Sequence, residues 1–228
     1  MHAKAIAPMV RPRAPRARNP DMRTTLWSWS LVALLSGSAC HSKVDDGKAA
    51  AVQDAKAGAR TPPKGKPHAL DVGRSRVGFV GAKITDDHEG SFGEFSGTAT
   101  VDGDTPTGID VTVQTASIAA EPERLRNHLA SNDFFAVEQF PTASFASRSI
   151  VAKADGANTH VVEGDLTLRG KTKTVSFPAA ITVSATEVRG KAEFSINRKD
   201  FDIVYAGMPD DLIKDEVLLQ LELVAPRG

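Results

Sequence analysis

From Asp71 to the C-terminus, apolar and polar residues alternate with a period of two, in runs separated by turn-forming clusters. "SRVGFVGAKI" sets Val77 and Phe79 on one face. "SFGEFSGTATV" sets Phe95, Gly97, Ala99 and Val101 on one parity. "IDVTVQT" opposes Ile109, Val111 and Val113 to Asp110, Thr112 and Gln114. Such alternation predicts half-buried strands, and the polar "TDDHEGS" and "DGDTPTG" between them predict turns. Further strands follow in "TASFASRSI", which holds Phe145, in "THVVEGDLTLRG" and "KTKTVSFPAAITV", and in "EVRGKAEFSI" with Val188, Ala192, Phe194 and Ile196 on one face. "DEVLLQLELV" closes the series with Val217, Leu219, Leu221 and Leu223 on one face.

The stretch "GDLTLRGKTKTVSF" reads as a hairpin turning on Gly170-Lys171, since glycine in the first central position suits a type II′ turn. One face of that hairpin is Leu166, Leu168, Lys173, Val175 and Phe177, apolar except for Lys173 beside the turn.

One segment breaks the two-residue period. In "EPERLRNHLASNDFFAVEQFP", Leu125 and Leu129 lie four apart, as on a helix face. Ser131 can cap a second short helix carrying Phe134, Phe135 and Val137, which Pro141 would end. The pattern therefore gives eight strands, one helical insertion and no repeated βαβ unit. Antiparallel strands in this number close economically into a barrel, which removes free edges. Alternation does not distinguish a barrel filled by side chains from one holding a small ligand.

The first seventy residues read differently. "MRTTLWSWSLVALLSGSAC" begins at Met22 with Arg23, continues as an apolar run from Leu26 to Leu35, and ends in small residues before Cys40. That run has the length of a signal h-region and is short for a bilayer span. The segment resembles a bacterial lipoprotein signal in which Cys40 takes the lipid; the alternative is an ordinary secretory signal cut nearby. Residues 1–21 are either a long basic extension or sequence upstream of a start at Met22. Residues 41–69 lack aromatics and apolar periodicity, so they read as a flexible tether. The resulting division is 1–39 as extension and signal, 40–69 as lipidated cysteine and linker, and 70–228 as the folded domain.

In order, "SRVGFVGAKI", "GEFSGTATVD", "RLRNHLASNDFFAVEQFPTASFAS", "VEGDLTLRGKTKTVSF", "INRKDFDI" and "DEVLLQLEL" resemble the YceI-like family of secreted, lipocalin-like proteins. The resemblance spans Leu70 to Val224. It implies an all-β fold, an eight-stranded antiparallel barrel with an apolar tunnel for a polyisoprenoid or similar long-chain lipid, with no metal and no established enzymatic activity; neither a cofactor nor catalysis is expected. Where the family often has His-Ser and, after its Asp-Phe pair, Gly, this chain has Arg74-Ser75 and Asp202.

On this reading the tunnel wall is drawn from the strand faces, with Val77, Phe79, Phe95, Val111, Val113, Phe145, Leu166, Leu168, Val175, Phe177, Phe194, Leu219 and Leu221. The insertion adds Leu129, Phe134 and Phe135 as a lid or rim. Lys173 either meets a polar lipid head at the rim or keeps its amine in water with its stem over apolar surface. Arg169 and Lys171 read as solvated turn residues.

Other chemistries find little support. The 28 basic and 28 acidic residues leave no net charge to favour nucleic acid. The single cysteine excludes an intrachain disulfide. His88, among Asp86, Asp87 and Glu89, reads as a solvated hairpin tip rather than a metal site, and the other histidines lack ligand spacing. Asp210, Asp211, Asp215 and Glu216 read as a charged loop entering a strand. No G-x-S-x-G elbow or phosphate-binding glycine loop occurs. The expected partners are a lipid and, through Cys40, a membrane in the periplasm or cell envelope; a homodimer is left open.

Overall fold

The alternating runs form strands that pair edge to edge. In the computed structural model, which describes residues 42–209 and 211–228, helix α1 (Lys43–Asp46) precedes strands β1 (Ala51–Asp54), β2 (Lys66–Ala69), β3 (Arg76–Lys83), β4 (Asp87–Phe92), β5 (Phe95–Asp102), β6 (Thr105–Gln114) and β7 (Ile118–Ala120). Helix α2 (Glu123–Ala130) follows, then β8 (Thr142–Asp155), β9 (Asn158–Leu168), β10 (Lys171–Val183), β11 (Glu187–Asn197), β12 (Gly207–Met208) and β13 (Asp211–Pro226). All pairings between these strands are antiparallel, in the order β2-β5-β6-β8-β9-β10-β11-β13-β3-β4-β7. The sheet curls until its β2 end meets β13, where the Asp71 N–H donates to the Val224 carbonyl at 2.8 Å and the Leu70 N–H to Gly97 at 3.0 Å. The result is a lipocalin-like β-barrel.

The eight expected strands are present, the second of them broken at Gly93-Glu94 into β4 and β5. The five additional strands are short or come from segments read as turn or tether. Asp87 to Gly90, expected in a turn, extend β4 instead, because Gly90 faces Phe79 across the β3–β4 pair and leaves room for its ring.

The hairpin also differs from its predicted turn. Lys171 pairs with Leu168 and Lys173 with Leu166, so the loop is Arg169-Gly170. Both residues have positive φ, 49° and 71°, as a type I′ turn demands. The pairing is displaced by two residues from the expected one, and a two-residue displacement leaves every side chain on its original face.

The second predicted helix does not form. Ser131 to Gln139 run as successive turns, with the Phe134 and Ala136 N–H groups both donating to the Ser131 carbonyl and Ala136 at a φ of 47°.

Residues 42–69 overturn the expectation of a flexible tether. They wrap the outside of the barrel as a belt. Ser42 caps α1, accepting from Val44 N, and its hydroxyl donates to Asp87 at 2.6 Å. Val44 is buried over Val80, Ala82 and Leu218 on the outer face of β3 and β13. Lys43 pairs with Glu89, and Asp45 with Lys214. Lys48 and Ala50 exchange backbone hydrogen bonds with Ser195 of β11, and β1 then pairs with β10 from Ser176 to Lys173. Lys56 reaches Glu163, Arg148 donates to the Lys56 carbonyl, Arg60 grips Asp110, and β2 joins β5. The belt thus enters the wall where β10 and β11, paired from Ala180 to Val183, part company. Composition suggested disorder because little apolar surface is available; backbone pairing and ion pairs order the segment instead.

The lipoprotein-type signal and Cys40 lie outside the described residues.

Candidate functional site: an apolar tunnel

Inward side chains of the strands enclose a cavity of about 240 Å³. β3 contributes Val77 and Phe79, β6 Val111 and Val113, β8 Phe145, β9 Leu166 and Leu168, β10 Val175 and Phe177, β11 Phe194, and β13 Leu219 and Leu221. From the insertion come Leu129, Phe134 and Phe135.

The emptiness of the interior shows in the burial pattern. Val77, Val111, Phe145, Leu166, Leu168, Leu219 and Leu221 point inward yet keep part of their surface accessible. Val80 and Leu218, which point outward under the belt, are 0% and 1% exposed. Other inward residues, Phe79, Val113, Val175, Phe177 and Phe194, are buried, so the accessible ones mark where along the wall the space lies.

Aromatic rings divide the wall. Phe177 and Phe194 stack with centroids 3.9 Å apart, closing the wall where β1 separates their strands. Phe79, Phe92 and Phe135 form a second group with centroids 5.5 to 6.0 Å apart. Beyond it, His128 sits edge-on to Phe134 and Tyr205 and bonds to Asp133 at 2.9 Å. These contacts pack α2 and the turns after it against the loop that follows Phe201.

Three residues depart from their predicted places. Phe95 pairs with Val113 at the start of β5 but is not part of the cavity wall. Lys173 is not either: its amine bonds to Asp54 of β1 at 2.8 Å, which holds its pKa above the ordinary lysine value. Arg169, read as solvated, donates to the carbonyls of Phe134 at 3.0 Å and Asn132 at 2.8 Å, pinning the insertion to the β9–β10 turn. Its neighbour Lys171 pairs with Asp202 at 3.0 Å.

Sequence reasoning missed a guanidinium on the wall. Arg198 is 3% exposed and donates to the carbonyls of Lys214 at 2.9 Å and Ile203 at 2.7 Å, with Asp215 at 3.3 Å. Burial pushes its pKa down and Asp215 pushes it back up. It fixes the loop of residues 199–213 against the barrel. Asp202, in that loop, adopts the left-handed conformation at φ 58°, which accounts for a glycine suiting the position. Ile203 inside the loop and Ile213 at its end also line the cavity, as do Ile109, Ile150, Ile181 and Leu223, for which strand parity was the available signal. Among the described residues no group of three or more His, Cys, Asp or Glu is arranged to hold a metal ion.

A family model of the YceI-like domain matches residues 68–225. The chain belongs to the YceI-like family. Protein YceI of Escherichia coli is 35% identical over 122 residues, which are 50% of this chain and 62% of that protein. A UPF0312 protein of Pseudomonas putida matches with the same identity and coverage. The chain thus spans less than two thirds of the length of these relatives. Among solved structures, Burkholderia cenocepacia BcnA superposes with a TM-score of 0.60 at 25% identity, over 68% of this chain and 99% of that one. A polyisoprenoid binding domain from Saccharophagus degradans, implicated in plant cell wall breakdown, superposes with a TM-score of 0.58 at 15% identity, over 71% and 98%. At that identity the likeness is one of fold. The YceI-like match begins at residue 68, so most of the belt lies outside the family domain.

Proposed function

We propose that this YceI-like protein binds a long-chain isoprenoid, quinone or similar lipid in the barrel and carries or sequesters it in the bacterial envelope. The observation that carries the reading is the apolar tunnel, in which Val77, Val111, Phe145, Leu166, Leu168, Leu219 and Leu221 keep part of their surface accessible. A chain in that space gains about 0.8 kcal/mol for each CH₂ removed from water. Among the described residues the wall is almost wholly apolar, which favours a binding role. The polyisoprenoid binding domain with the same fold supports the ligand class. The signal-like segment ending in Cys40 supports a lipoprotein held in the periplasm.

The test is native mass spectrometry of the secreted Cys40→Ser chain with its belt intact, purified from a bacterial host without added lipid, then extracted with organic solvent. An adduct extracting as a long-chain lipid is expected. Apo mass alone, persisting after incubation with quinones, polyprenols and fatty acids, would overturn the reading in favour of a scaffold acting through its outer surface.

A further inference from the structure

We propose that the barrel end carrying Ile84, Val204, Met208 and Leu212 is a docking face for the surface of a zwitterionic lipid bilayer. The proposal deepens the lipoprotein reading above and rests on it.

Four of the six large exposed hydrophobic residues among the described ones gather at this end. Ile84, Val204 and Met208 are 65%, 65% and 61% exposed, and Leu212 44%. Backbone hydrogen bonds tie their elements together: Ile84 N–H donates to Leu212, Ile213 N–H to Ala206, and β12 pairs with the start of β13. Scattered single hydrophobics are ordinary on a protein surface, whereas a gathered set marks a contact face.

The position of the belt names the occupant. Its first described residues are fixed at this same end. Ser42 and the Lys43 N–H both bond to Asp87, at 2.6 and 2.7 Å, and Asp45 holds Lys214 at 2.7 Å. Asp87 lies just past the β3–β4 turn that carries Ile84, and Lys214 lies two residues past Leu212. Cys40 is two residues ahead of Ser42, and two residues span no more than about 7 Å. A lipid on Cys40 therefore holds this end at the bilayer. Val72 is also exposed, but it neighbours Val224, twelve residues beyond Leu212 along β13 and hence about 40 Å away.

The chemistry of the face fits a zwitterionic surface. Lys43, Lys83 and Lys214 around it are each engaged in an ion pair, with Glu89, Asp211 and Asp45. Attachment is then by apolar insertion rather than by attraction to anionic headgroups. Val204 and Leu212 point outward while their chain neighbours Ile203 and Ile213 line the tunnel. The docking face and the tunnel wall are thus opposite sides of the same two segments, and a lipid crossing this rim stays in apolar surroundings.

The test uses the full chain, matured in bacteria, in phosphatidylcholine vesicles. Cys40 is the only cysteine, and lipidation removes its thiol, so a nitrobenzoxadiazole label goes to Met208→Cys or to Val72→Cys. Quenching by brominated lipids is expected to be several-fold stronger at residue 208 than at residue 72, little changed by salt, and lost in the Ile84→Ser/Leu212→Ser background. Intact mass reports the acyl chains separately. Acylated protein with equal quenching at both labels, or stronger quenching at residue 72, would overturn the docking face while leaving the lipoprotein reading in place. Absence of acyl mass on Cys40 would overturn both.

Discussion

Gly81 and Gly190 offer a direct way to shorten the tunnel without disturbing its wall. Both line the cavity, and a Cβ added at either would meet nothing within 4 Å. Neither needs a left-handed backbone, so a larger residue fits the strand and removes the entropic cost of glycine there, about 0.5–1 kcal/mol. Gly81→Leu inserts four carbons into that space. A ligand that fills the tunnel then loses burial of about four CH₂ groups, or ~3 kcal/mol, a weakening of about 200-fold. The assay is displacement of a fluorescent lipid by straight-chain alcohols from about ten to about twenty-two carbons. Affinity should rise about fourfold per carbon up to a break length, as ~0.8 kcal/mol per CH₂ requires. In Gly81→Leu the break should come about four carbons earlier, with short-chain affinities and thermal stability preserved. An unchanged break length in a folded variant would refute the placement of the ligand in this cavity. A shift accompanied by a lower melting temperature would refute the claim that the wall tolerates the substitution.

Three other outcomes are expected. Gly90→Ala sets a Cβ under 3.0 Å from the Phe79 ring; it should cost about 1–3 kcal/mol in denaturant unfolding, where an unchanged midpoint would show that the ring moves freely. Arg198→Met strips the Lys214 and Ile203 carbonyls of their buried donor, which should cost about 2–5 kcal/mol and speed proteolysis within residues 199–213; unaltered cleavage there would show that the loop is held otherwise. For Asp165, burial alone would raise the pKa, but hydrogen bonds from Arg148 and Thr174 outweigh it and hold the carboxyl below its ordinary value. A depressed folded pKa contributes stability above the unfolded value of about 3.9 and loses it as pH falls through the folded one. Unfolding free energy should therefore drop more steeply on acidification below about pH 4 in the parent than in Asp165→Asn, and parallel profiles would contradict this.

The strands were legible because a half-buried strand writes its geometry into a period of two. The faces of Val77 and Phe79, of Leu166 and Val175, and of Leu219 and Leu221 all follow from parity alone. Register was less legible. A Gly170-Lys171 turn suits the glycine, whereas the chain places Arg169 in the left-handed conformation and steadies it with two hydrogen bonds to the insertion. Those partners lie 35 and 37 residues away and leave no local trace. Lys173 shows the same limit, since its parity was legible but its acid, Asp54, arrives from 119 residues away. The belt was illegible for a related reason. Composition gauges how much apolar surface a segment can bury, and residues 42–69 find their order in backbone pairing and ion pairs with strands far along the chain.

That separation bears on the order of events in folding. Asp45 meets Lys214 across 169 residues, and Asp54 meets Lys173 across 119. The belt is made early in synthesis, yet β10, β11 and β13, on which it closes, are made last. Contacts of such span carry the largest loop-closure entropy and form late. The β3–β13 pairing that closes the barrel, Arg76 with Glu222, spans a comparable length, so barrel closure and the seating of the belt both wait for the last strands. Apart from the belt, β10 and β11 are joined by their pairing from Ala180 to Val183 and by the Phe177–Phe194 stack, so a chain whose belt has not yet seated has a parted wall on that side.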